Sequence, residues 1–137
     1  MTDLLVVDDS AVDRRFVEEL LTASSDWTVR FANNGAEALA AMEKAPPDLV
    51  VTDLLMPEMD GLELVGAIRS RYPRVPVILI TGEGSGDIAV AALRQGAAGF
   101  VPKPELANDL LDSIRNVLAI SGDRARHARL IECMERN

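Results

Sequence analysis

The chain has 137 residues, 48% hydrophobic and 26% charged, a size that suits one compact domain and a composition that excludes disorder throughout. Its net charge of -8 disfavours non-specific attachment to nucleic acid or to an anionic membrane, and favours cationic ligands. Cys133 is the only cysteine, which excludes an intramolecular disulfide and a thiolate zinc cluster; with no basic leader and no stretch near the roughly 20 apolar residues of a membrane span, a cytoplasmic location is expected.

In chain order, residues 4–7 form an uninterrupted apolar run of the kind expected for a strand buried on both faces. Ser10, with Asp13 three residues on, marks the start of a helix. Residues 28–32 are a weaker second strand, and Asn34 with Glu37 opens a second helix carrying Leu39 and Met42. Residues 49–51 predict the third strand, followed by a helix that starts at Asp60 with Glu63 and presents Leu62, Leu64, Val65 and Ile68. A fourth strand is read over 77–80, a fourth helix whose sheet-covering face includes Ala89, Val90 and Leu93, and a weak fifth strand over 98–101. Leu106, Leu110, Leu111, Ile114, Val117 and Leu118 define a fifth helix, expected to break at Gly122.

Five strands alternating with five helices predict an α/β fold, a doubly wound five-stranded parallel sheet, here taken in the order 2-1-3-4-5. The domain is expected over 1–120, with 121–137 a helical tail or the start of a linker to an output domain. In that tail His127 reads as a solvated helix residue and Cys133 as an incidental small apolar one.

In such a sheet, ligands bind beyond the carboxyl ends of the strands, near the switch in strand order. The first strand ends in Asp8 and Asp9, the third in Asp53, the fourth in Thr81, and the fifth leads into Lys103. With the first and third strands adjacent at about 4.8 Å, three carboxylates share one pocket. Such a cluster calls for a hard divalent cation, for which Mg²⁺ is the natural choice. Thr81 and the long side chain of Lys103 then suit a phosphoryl group. Each residue alone has a plainer reading: Asp8 and Asp9 as solvated acids before a helix, Thr81 and Gly82 as a turn, Lys103 as exposed between two prolines, Phe100 as core. Their common placement at one sheet edge is what distinguishes them.

Val-Val-Asp-Asp-Ser at 6–10, Asp-Leu-Leu-Met-Pro-Glu-Met-Asp-Gly-Leu-Glu at 53–63, Ile-Thr-Gly at 80–82 and Phe-Val-Pro-Lys-Pro at 100–104 resemble the receiver domains of two-component response regulators, the CheY-like family, over about residues 3 to 119. The resemblance implies a CheY-like, flavodoxin-like fold and a phosphorelay signalling role in which Asp53 takes a phosphoryl group from a histidine kinase or phosphotransfer protein. It implies Mg²⁺, with Mn²⁺ as an alternative, held by Asp8, Asp9, Asp53 and the backbone carbonyl of Leu55. Thr81 and Lys103 would contact the phosphoryl oxygens. Thr81 and Phe100 would act as the switch, remodelling the face of the fourth helix, fifth strand and fifth helix for a downstream partner or fused output domain. A homodimer through that face or the tail is a further expectation, whereas direct nucleic-acid or membrane binding is not.

Leu55, Gly82 and Glu83 occupy positions that tune resetting in relatives, and Gly82 stands where the family often has alanine. The Lys103-Pro104 bond is a candidate cis peptide, since such bonds are largely confined to proline. No enzymatic turnover is expected beyond the chain's own phosphorylation and dephosphorylation. The alternatives are a receiver-shaped interaction module that ignores phosphate, a Mg²⁺-dependent phosphatase, disfavoured because Leu55 stands where a second acid would be needed, and a flavodoxin-like cofactor module, disfavoured by the acidic loop after the first strand.

Overall fold

The computed structural model describes residues 2–23, 27–82 and 86–135, with side chains described as far as Ser121. Elements alternate strictly: β1 (Thr2–Val7), α1 (Ala11–Thr22), β2 (Trp27–Ala32), α2 (Gly35–Lys44), β3 (Leu49–Asp53), α3 (Gly61–Arg71), β4 (Val77–Thr81), α4 (Gly86–Gln95), β5 (Gly99–Pro102), a 3₁₀ turn (Lys103–Glu105) and α5 (Leu106–Glu135). All strand pairs are parallel, in the order β2-β1-β3-β4-β5. The expected fold class is therefore the observed one.

Side-chain alternation along the strands explains why the central runs are apolar at every position. Leu5, Val7, Val50, Val77 and Leu79 pack with Ala38, Met42, Leu64, Val65, Ile68 and Ala92, so α2, α3 and α4 cover one face. Leu4, Val6, Leu49, Val51, Ile78, Ile80 and Val101 point the other way, onto Val17 and Leu21 of α1 and Leu106, Leu110 and Ile114 of α5. Every residue of β3 and β4 is buried.

The helix starts read from the sequence are caps. Ser10, Asn34 and Asp60 each accept a hydrogen bond from the backbone N–H three residues on, at Asp13, Glu37 and Glu63, satisfying donors that have no partner within the helix. α4 ends in a Schellman motif: Gly96 (φ +102°) and Ala97 donate to the carbonyls of Leu93 and Ala92, and Ala97 packs in the same core cluster as Ala92.

Three expectations are corrected. Val90 and Leu93 are exposed, and α4 meets the sheet side through Ala92 with Ile88 packed alongside, so the apolar face is turned relative to the one predicted. α5 does not break at Gly122 but runs on to Glu135; one glycine within a helix costs only about 1 kcal/mol relative to alanine, too little to stop it. The Lys103-Pro104 peptide is trans, and Pro104 lies in the first turn of the 3₁₀ segment, where its fixed φ is accommodated. Among the described residues, no helix is long and apolar enough to cross a membrane.

Candidate functional site

The parallel register brings the carboxyl ends of β1, β3, β4 and β5 to one edge of the sheet. Val7 pairs with Thr52, so Asp8 and Asp53 follow side by side; Asp53 pairs with Ile80, next to Thr81, and Thr81 pairs with Pro102, next to Lys103. Asp8, Asp53 and Thr81 are buried.

Asp53 Oδ1 accepts the N–H of Leu54 at 2.8 Å, and Oδ2 faces Lys103 Nζ at 3.4 Å. The Lys103 ammonium donates more closely to Asp13 Oδ2, at 2.8 Å. Asp8 Oδ1 accepts the Ser10 N–H at 2.9 Å, while its carbonyl accepts Arg14 Nη1 at 3.0 Å; the same guanidinium bonds Asn33, tying the loop after β1 to the one after β2.

The electrostatics follow from this crowding. Burial drives the Asp8 carboxyl from its ordinary 3.8 up to about 6; the Ser10 N–H opposes the rise, the charges of Asp53 and Asp13 add to it, and Lys103 offsets part of it. Burial likewise lifts Asp53, by more than the Lys103 charge and hydrogen bond and the N–H groups of Leu54 and Leu55 lower it. For Lys103, burial works against the charged form, yet the hydrogen bond to Asp13 and the charges of Asp53, Asp13 and Asp8 carry its pKa upward.

One carboxylate oxygen each from Asp8, Asp13 and Asp53 lies within 4.8 Å of the others. Three carboxylates and one ammonium leave a deficit of two positive charges, and the donors are all oxygens. That set fits a hard divalent cation such as Mg²⁺.

The set differs from the one expected. Asp9 is exposed and not part of the group, and Asp13 stands in its place. Reading Asp13 only as the partner of the Ser10 cap missed its presence at the site: the cap uses its backbone N–H, which leaves the carboxylate free to reach Lys103 from the first turn of α1. The Leu55 side chain is exposed. A Cβ added at Gly82 would lie 3.9 Å from Lys103 Cδ, so this glycine flanks the lysine. Phe100 is half-buried against the core face of α2, α3 and α4. Glu83 lies outside the described residues, as do the side chains of His127 and Cys133.

The loop from β3 to α3 contributes two further features. Met59 N–H donates to the Pro57 carbonyl at 2.8 Å, closing a γ-turn at Glu58, whose φ is +68°. Gly61 then donates its N–H to the Leu54 carbonyl at 2.8 Å, seating α3 against the end of β3. A separate groove of about 510 Å³, lined by Arg69, Pro76, Ala98, Val117 and Ile120 among others, lies at the opposite, amino-terminal edge of β4 and β5.

Residues 4–115 match the family model described as "Response regulator receiver domain". The chemotaxis protein CheY of Listeria monocytogenes is 35% identical over 114 residues, covering 83% of this chain and 96% of its own. The DNA-binding transcriptional regulator NtrC of Escherichia coli K12 is 42% identical over 100 residues, covering 73% of this chain and 21% of its own; a protein-glutamate methylesterase/protein-glutamine glutaminase of Rhodospirillum rubrum is 40% identical over 107 residues, 77% and 29%. The chain thus spans less than a third of these two longer relatives. Among solved structures, NtrX from Brucella abortus superposes with a TM-score of 0.87 at 34% identity, covering 95% of this chain and 30% of that one. Vibrio cholerae CheY4 superposes with a TM-score of 0.78 at 35% identity, covering 85% and 98%. Fold, sheet-edge acids and sequence agree, and the chain belongs to the receiver domains of two-component response regulators.

Proposed function

We propose that this receiver is switched by phosphorylation of Asp53, with a phosphohistidine of a partner kinase or phosphotransfer protein as donor. The observation that carries this reading is a buried carboxylate at the end of β3, with Lys103 Nζ 3.4 Å from one oxygen and two further acids gathered around it. Phosphoryl transfer depends chiefly on positioning and charge neutralisation. A Mg²⁺ ion held by Asp53, Asp8 and Asp9, with the Leu55 carbonyl completing the protein donors and Asp13 kept by its ion pair with Lys103, would supply neutralising charge when bound.

The chain's own residues do the rest. An Asp53 carboxylate oxygen attacks phosphorus, the P–N bond to the donor imidazole breaks, and the imidazole keeps the electron pair. The Leu54 N–H orients one Asp53 oxygen. Lys103 offers its ammonium to the phosphoryl oxygens, and the Thr81 hydroxyl, buried on the neighbouring strand, supplies a contact as it moves toward them. Phe100, on β5 beside it, then packs inward, altering the surface of α4, β5 and α5 presented to a downstream partner or output domain. The aspartyl phosphate hydrolyses in water, which resets the switch; Leu55, Gly82 and Glu83 are the residues that tune that resetting. The receiver unit takes in residues 1–120, with 121–137 a helical tail or the start of a linker to an output domain.

Incubation with acetyl phosphate and Mg²⁺ should add one phosphoryl group by intact mass, and chelator should prevent it. Unchanged labelling of Asp53→Asn would overturn the assignment.

A further inference from the structure

Lys103 divides its ammonium unequally: 2.8 Å to Asp13 and 3.4 Å to Asp53. The second distance is at the long limit of a hydrogen bond, so the better bond goes to a residue of α1 rather than to the acceptor strand. Asp13 is held there by the helix start itself. Ser10 caps its N–H at 3.3 Å, and Arg14, one residue on, bonds the Asp8 carbonyl at 3.0 Å. The carboxylate is therefore presented to the site by a fixed turn.

We propose that Asp13 is a positioning residue that draws Lys103 toward α1 and competes with the phosphoryl group of Asp53 for its ammonium. This rests on the reading of Asp53 as acceptor. A phosphoryl group on Asp53 Oδ2 would seek a short charge-assisted bond from the same ammonium, whose positive charge Asp13, at 2.8 Å, already partly neutralises and holds toward α1. Asp13 thus lowers the stability of the phosphorylated form and biases the switch toward its resting state. About a third of each side chain is exposed, 30% for Lys103 and 38% for Asp13, so the competition is partly screened by water.

The test uses beryllofluoride, a tetrahedral stand-in for the phosphoryl group, titrated at saturating Mg²⁺ and followed by ¹H–¹⁵N spectra. Asp13→Asn should bind it about two- to fivefold more tightly than the unsubstituted chain, the scale of a partly exposed ion pair, and Asp13→Glu should restore the original affinity. Most of the gain should vanish when Asp13→Asn is made in a Lys103→Ala background. An equal gain in both backgrounds would mean that Asp13 acts by charge alone, and no gain would mean that it does not compete; either result overturns the proposal. Failure of the unsubstituted chain to bind beryllofluoride would instead overturn the reading of Asp53.

Discussion

Gly61 approaches the end of β3 so closely that a Cβ placed on it would stand 2.5 Å from the Asp53 carbonyl oxygen and 2.8 Å from Leu54 Cα. Both atoms are backbone, at the end of β3 and one residue beyond it, and neither can turn aside. Gly61→Ala should therefore cost about 2–3 kcal/mol by overpacking and should also displace Asp53. Gly86→Ala, where an added Cβ meets nothing within 4 Å, is the control and should leave stability unchanged or slightly raised. Urea unfolding of both variants checks this.

Glu58 holds a φ of +68°, a conformation that L side chains adopt at a cost. Glu58→Gly should stabilise the protein by about 0.5–1 kcal/mol, whereas Glu58→Val should destabilise it by more than about 1 kcal/mol. Thermal melts of the pair measure the strain stored in the turn between acceptor and α3.

Asp8 makes stability depend on pH in a defined direction. Because the fold raises its pKa from 3.8 to about 6, the folded chain keeps a proton that the unfolded chain releases within that interval. Without a divalent cation, the contribution of Asp8 to stability should be largest below about pH 4 and fall by on the order of 2 kcal/mol by pH 6, levelling off above. Asp53, also raised, acts in the same direction. Asp8→Asn should flatten the fall, and Mg²⁺ should oppose it increasingly as pH rises. Urea midpoints from pH 4 to pH 7, with chelator and with Mg²⁺, read all three effects.

The cap at Asp60 accepts the Glu63 N–H at 2.8 Å and starts the helix that packs against the end of β3. Asp60→Ala should cost about 1 kcal/mol and Asp60→Asn much less. Equilibrium unfolding of the two variants distinguishes loss of the cap from loss of charge.

The sheet was legible because β1, β3 and β4 carry short β-branched runs apolar on both faces, the pattern of covered parallel strands, and alternate with helical segments. The helix starts were legible through Ser10, Asn34 and Asp60, whose side chains cap three residues ahead. α4 was misread because Val90 and Leu93 are apolar but exposed, while small Ala92 makes the close contact; size and burial part company there. The acids Asp8 and Asp53 were legible as strand ends. Asp13 was not, because a local cap accounted for it and its reach to Lys103, 90 residues away, is set by how α1 lies over the sheet edge. The turn at Glu58 carried no glycine to announce it.

The most direct measurement is to locate the modification. After treatment with acetyl phosphate and Mg²⁺, the acyl phosphate can be reduced with borohydride and the altered residue identified by tandem mass spectrometry. The account predicts a single altered residue, Asp53, with none in Asp53→Asn. Modification at Asp8, Asp9 or Asp13 with Asp53 intact would contradict it.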